Sequence, residues 1–371
     1  MHCRTLAPWN RNQSVRMPND PVYKNSGFYR GSAPVALLCE GDVIGYEAQL
    51  LGRWFRSQAA GALKIDVWAC GTGHGLRAIA DSFGREVKIV GIEDRDFRTE
   101  SQSEQDCVEC FNDLDSRRGV AVRGWFTWGR NEVENYFLDD EILTPVMIGW
   151  FGCTHDDVKE ALRTAVGSLA AFQAVQAAVY GVRRWWENTD PAVGVADSAS
   201  LYVGGRPSWK DGKLAPADSA AIKQKLLETF DKWRDRHAGD KAKTHVPEKA
   251  DIAKVFDQWA AGTPDQTLGA DRWRADWAGK EILKLVRQQL AHRFGTNYGA
   301  NLGKLLSQQR IEPKQSIPWH KWNRKTCDSI DRELEHEMQS HLVKQLIEFA
   351  TDNAQSAIRA DLHKIGAALK S

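Results

Sequence analysis

Glu93, Asp94 and Asp96 stand together where the apolar run Val87–Ile92 ends. A run of that length, even with Lys88 in it, reads as a buried strand. Acids at its end then sit on the rim of a sheet, half in water. Asp94 and Asp96 are two apart, so on an extended segment they point the same way and Glu93 points to the other side. Two hard oxygen donors facing one way suit Mg²⁺ or Mn²⁺ and call for a third ligand. A solvated acidic turn would use the same residue types, so the neighbouring segments decide between the readings.

Those segments follow a strand–turn–helix rhythm. Ala33–Cys39 is a continuous apolar run that ends in Glu40-Gly41-Asp42, and Tyr46, Leu50, Leu51 and Trp54 then recur at helical spacing. Lys64–Cys70 is the next strand. Gly71-Thr72-Gly73-His74-Gly75 follows it, and then a helix through Leu76, Ile79 and Ala80. This glycine-rich turn could cradle a phosphate, but it lacks both the GxGxxG spacing and the P-loop Lys-Ser/Thr, and a close backbone turn is the favoured reading. After the acids, Thr99–Arg118 reads as an exposed loop and helix, and Val120–Val122 as a short fourth strand. The alternation implies an α/β fold with a parallel sheet and helices on both faces. In such sheets ligands bind at the carboxyl ends of the strands. Glu40, Asp94 and Asp96 are therefore expected to meet, with Glu132 or Glu134 approaching from beside them.

The remaining organisation is coarser. Residues 1–30 form a polar N-terminal arm, 31–150 the α/β domain, 151–190 a helical extension, 191–216 a Pro/Gly/Ser-rich linker or loop, and 217–371 a mainly helical C-terminal region. Within 371 residues no run approaches ~18 uninterrupted apolar residues, so no transmembrane helix is expected. Seven scattered cysteines, with no second CxxC to match Cys107-x-x-Cys110, read as reduced thiols in a cytoplasmic protein. A net charge of +1 means that any nucleic-acid face must be local. Candidates for that face are Arg123, Arg130, Arg183-Arg184-Trp185-Trp186 and the run His320–Lys325, with Lys321 and Arg324. Arg and Lys neutralise phosphates, and some of the fifteen tryptophans could stack on unpaired bases. Helical tryptophans are more often core, and Arg-Arg at a helix end often complements the helix dipole.

The order strand–Glu40-Gly41, strand–Gly71-to-Gly75 turn–helix, strand–Asp94-Arg95-Asp96 resembles the TOPRIM domain. The run Glu132-Val133-Glu134-Asn135-Tyr136-Phe137-Leu138 is similar to a branch of TOPRIM proteins encoded beside ATPases in bacterial antiphage systems, including the PARIS effector and the nuclease half of OLD proteins. Gly279-Lys280-Glu281-Ile282-Leu283 resembles a run that follows the core in these families. The resemblance covers roughly residues 30–150, with the echo near 280. It implies a metal-dependent endonuclease acting on DNA or a structured RNA such as tRNA, regulated by an ATPase partner and active as a homo-oligomer, with no membrane role. It implies Glu40, Asp94, Asp96 and Glu134 as Mg²⁺ or Mn²⁺ ligands and catalytic groups, with Lys280 at the scissile phosphate. Relatives often carry an acid four residues after the first Glu, where this chain has Ile44; Asp42 and Glu47 lie close by. That departure keeps a second reading open, a degenerate TOPRIM subunit that binds or regulates without cutting. Nucleotide binding at Gly71–Gly75 is a third.

Overall fold

The computed structural model describes residues 35–41, 45–58, 65–71, 73–80, 87–98, 100–118, 121–189, 199–210, 213–237, 247–260, 269–308 and 335–370. The N-terminal arm and the Lys321/Arg324 run lie outside them. The chain divides into two compact units, residues 1–146 with 329–371, and residues 147–328.

The first unit is built on a four-stranded, wholly parallel sheet. Its strands are β1 (Val35–Cys39), β2 (Ile65–Ala69), β3 (Lys88–Glu93) and β4 (Ala121–Thr127), in the order β2-β1-β3-β4. All five β1 residues are buried, as a central strand covered on both faces requires. On one face, Ala36, Leu38, Trp68, Ile89 and Val122 form a core with Leu76 and Ala80 of helix α2 (Gly73–Ala80) and with Cys110 and Leu114 of α3 (Glu100–Arg118). The other face meets α1 (Tyr46–Gln58) and the final helix of the chain. The α/β fold expected from the alternating pattern is therefore present, and β4 runs five residues beyond the Val120–Val122 run, taking in Trp125 and Phe126.

The helices of the second unit begin with α4 (Asp140–Phe151), which straddles the boundary, and α5 (His155–Thr189). Packed with α5 are α6 (Ser219–His237), α7 (Lys249–Ala260) and α9 (Gly279–Gln308), with the short α8 (Gly269–Asp276) just before α9; α9 kinks at Phe294. The stretch His155–Val182 of α5 is long and apolar enough to cross a membrane by composition, a possibility that a search for uninterrupted apolar runs passes over. Of that window, 72% is buried inside the protein, against partners such as Phe230, Trp233 and Phe256. That is the environment of a core helix.

Within the stretch 191–216, read as a linker or loop, the described residues pack within the second unit: Leu201 is buried, Arg206 stacks 4.8 Å over Phe172 and pairs with Glu281 at 2.8 Å, and β5 (Ser208–Lys210) pairs with β6 (Lys213–Ala215). The region 217–371 is divided between the two units. Helices α10 (Glu335–Asp352) and α11 (Ile358–Lys370) belong to the first unit, where α10 packs on α1 and α11 on β3 and β4. Long-range helix packing of this kind leaves no local signal in composition.

Candidate metal centre

Each acid of the sheet edge is placed by hydrogen bonds to the turn or helix that carries it. Glu40 follows β1, and the turn after it is fixed to the turn after β2. Gly41 N–H donates to Gly71 O at 2.8 Å and Gly71 N–H to Gly41 O at 2.9 Å, with φ of 78° and 83°. Glycine reaches that left-handed backbone without strain. The turn therefore serves as a backbone brace for the Glu40 loop, as the close-turn reading of Gly71–Gly75 expected. Glu40 Oε1 in turn accepts the Asp94 N–H at 3.1 Å, tying the ends of β1 and β3 together.

Asp94 and Asp96 reach this edge differently from the expectation. They are not on one extended segment, because Asp96 and Phe97 both have positive φ, 49° and 60°. The chain turns sharply there, and the turn is pinned by the fully buried Asn131. Its carbonyl accepts Arg95 N–H at 2.9 Å and Asp96 N–H at 3.2 Å, and its Oδ1 accepts Phe97 N–H at 2.5 Å. Arg98, also buried, donates to the carbonyls of Asp94 and Arg95. Two adjacent non-glycine residues in the left-handed region are strained by about 1–2 kcal/mol each, and surrounding bonds of this kind are what hold them there.

Glu93 points to the other side of the strand, as its register required. It is buried, and its carboxylate receives Arg77 Nε at 2.9 Å and Trp125 Nε1 at 3.0 Å, with Arg98 at 3.8 Å. These contacts make Glu93 a structural acid.

Glu134 lies in a buried 3-10 turn, Val133–Leu138, whose start Asn135 secures by accepting Glu132 N–H at 3.0 Å. A further acid joins the set that spacing alone did not select. Glu47, in the first turn of α1, is buried and accepts Trp128 Nε1–H at 2.6 Å. Its signal was in the sequence: Glu47 lies three, four and seven residues before Leu50, Leu51 and Trp54, on the apolar stripe of the helix.

Electrostatics shows that these carboxylates share one environment. Burial, then Asp96 and Glu93, push the Glu40 carboxyl up to about 8. Burial first, then Glu47, Glu40, Glu134 and Asp96, hold Asp94 well above the usual range. Glu47 is raised likewise, by burial and then by Glu40, with Glu134 adding to it. Packed acids that cannot all ionise in the absence of a counter-charge are what a divalent cation relieves. The donor set fits such an ion on a second ground: Asp94 Oδ1 is buried with no hydrogen-bond partner among the described residues, and such an atom is costly unless something binds it. Among the described residues no group of three or more His, Cys, Asp or Glu side chains stands in a geometry that would hold a metal ion.

The other expected site residues divide. Lys280 is exposed on α9 of the second unit. Arg123 is exposed on β4. Arg130 is committed inside the protein, bidentate to Asp139 at 2.8 and 3.0 Å, bonded to Asn135 O at 2.7 Å and 4.8 Å over the Tyr136 ring. Those contacts hold the Arg130 guanidinium beside Asp139 and Tyr136. Arg183 and Arg184 fall on α5 at positions whose side chains are not described, so their expected phosphate contacts lie outside the described residues. Trp54, Trp68, Trp125, Trp128 and Trp233 are core residues. No family model, curated protein or solved structure matches the chain.

Proposed function

We propose that the protein is a divalent-cation-dependent TOPRIM endonuclease that hydrolyses phosphodiester bonds in nucleic acid, DNA or a structured RNA such as tRNA. The observation that carries this reading is the carboxylate set Glu40, Glu47, Asp94, Asp96 and Glu134 at the carboxyl edge of a parallel sheet, with Asp94 Oδ1 buried and unpartnered among the described residues. Glu40, Asp94 and Asp96 would hold Mg²⁺ or Mn²⁺, with Glu134 and Glu47 flanking them. Bound there, the ion would polarise a phosphoryl oxygen and offset the negative charge that develops on it.

The chain's own residues prepare that chemistry. Burial and the neighbouring acids push the Glu40 carboxyl up to about 8, which favours its protonated form at neutral pH, while its Oε1 accepts the Asp94 N–H. That proton is released when positive charge arrives, so Glu40 can serve as ligand or as general acid/base. Asn131 and Arg98 hold the Asp94–Phe97 turn in place before any ligand binds, so little reorganisation is left to the reaction.

By resemblance, the biological setting we propose is the toxic effector of a bacterial antiphage system, held in check by an ATPase partner and assembling into a homo-oligomer on activation. Incubating purified protein with Mg²⁺ or Mn²⁺ and a mixed DNA and tRNA pool tests the activity. Cleavage should disappear in Glu40→Ala and Asp94→Ala while both variants stay folded. Full activity in both would sink the proposal. The second reading, a subunit that binds without cutting, rests on Ile44. The burial of Glu47 beside Glu40 supplies an acid near that gap and favours cleavage. Tight partner binding with no product under any metal would favour the second reading.

A further inference from the structure

We infer that Asp361, on the last helix of the chain, is a positioning residue for the acid site, holding the loop that carries Glu134 and orienting Glu47 through Tyr136 and Trp128. The inference rests on the reading that these acids receive a cation, and it assigns their alignment to a segment more than 200 residues away in sequence.

One carboxylate oxygen makes both attachments. Asp361 Oδ2 accepts Gly129 N–H at 3.0 Å and the Tyr136 hydroxyl. Gly129 lies just past β4, and Tyr136 lies two residues beyond Glu134. Asp361 therefore clips both ends of the segment 129–136 to α11, fixing where Glu134 stands along it. Burial and the neighbouring Asp361 push the Tyr136 phenol well above its ordinary range, so it stays a donor. The Tyr136 ring meets Trp128 edge-on, centroids 6.0 Å apart, with the Arg130 guanidinium on the ring at 4.8 Å. Trp128 is 1% exposed, and its indole N–H is the donor to Glu47 Oε1 at 2.6 Å. An indole wedged by Tyr136 on one side can present that N–H in one direction only.

An independent set of contacts holds the helix that carries Glu47 to the same C-terminal hairpin. Arg53, on the helix that carries Glu47, donates to Glu348 at 3.0 Å and to Thr351 Oγ1 at 3.3 Å, both on α10. The site is thus divided. Glu40, Asp94 and Asp96 are held by the strand-end loops themselves, while Glu47 and Glu134 are held by α10 and α11. A loosened hairpin should weaken the cation site without erasing it. Partners that support metal ligands from behind usually govern affinity by tenfold or more.

The test uses the full chain labelled with ¹⁵N at its tryptophan indoles, the Trp128 signal being the one missing from Trp128→Phe. In Asp361→Ala that signal should move away from its hydrogen-bonded position and Mn²⁺ affinity should fall about tenfold. In Asp361→Asn both should stay near wild type, because an amide oxygen can accept both bonds. Tyr136→Phe, which keeps the ring packing, should move the same signal. An unmoved Trp128 signal in both Asp361→Ala and Tyr136→Phe would overturn the inference, and so would Asp361→Asn behaving like Asp361→Ala. Failure of the cation reading shows separately, as a wild-type Trp128 signal that Mn²⁺ does not broaden; the shift of that signal in metal-free Asp361→Ala then still decides the positioning role.

Discussion

Raising the pH from 5 to 8 without divalent cations should destabilise the protein, and adding them should restore it. The Glu40 carboxyl moves from 4.5 to about 8 on folding, and Asp94 and Glu47 move in the same direction. Between those values the native state holds more protons than the unfolded chain, so stability is greatest below the unfolded value and falls as pH rises. For Glu40 alone, the interval from pH 5 to 8 corresponds to roughly 3–4 kcal/mol. At about 2–4 °C per kcal/mol for a domain of this size, the melting temperature should drop by roughly 10 °C. The acids interact, so their contributions do not add. A bound cation takes the place of the protons, and its affinity should rise with pH over the same range. Thermal melts at pH 5, 6, 7 and 8, in EDTA and in saturating Mn²⁺, read this directly, with Glu40→Gln flattening the EDTA slope. A melting temperature that is level or rising from pH 5 to 8 in EDTA would refute the reasoning.

Other variants separate scaffold from surface. In Gly91→Ala the new Cβ would come within 2.4 Å of the Trp125 ring, which lies across β3 and donates to Glu93, so the urea midpoint should fall by the equivalent of about 1–3 kcal/mol; no change would contradict the packing. Gly71→Ala meets open space but must keep a φ of 83°, and should lose about 1–2 kcal/mol in the same assay. Arg130→Ala should lower the melting temperature by removing the Asp139 pair and the Tyr136 contact. Arg123→Ala should leave stability within about 0.5 kcal/mol and reduce the salt dependence of nucleic-acid binding by about one unit of slope.

The sheet and its first three acids were legible because they are local. An apolar run ending in Glu40-Gly41 and another ending in Asp94-Arg95-Asp96 declare buried strands and their rims without reference to distant residues. The route by which Asp94 and Asp96 converge was not legible, because it is a left-handed turn stabilised by Asn131, more than thirty positions away, and no spacing rule encodes that. Glu47 was visible as an acid on an apolar helical stripe, yet a search by spacing from Glu40 passes over it. The tryptophans beside basic residues suggested stacking platforms, but Trp125 and Trp128 instead bring indole N–H donors to buried carboxylates. The return of α10 and α11 to the sheet depends on complementary surfaces formed only after folding, and composition carries no trace of it.

The central question for the site is whether these acids take up a divalent ion. Calorimetric titration of Mn²⁺ into metal-free wild type and Asp94→Asn tests that most directly. Wild type should bind at least one ion per chain with release of protons, and Asp94→Asn should bind at least tenfold more weakly. A wild-type protein that takes up no Mn²⁺, or an Asp94→Asn variant that binds it as tightly as wild type, would contradict the assignment.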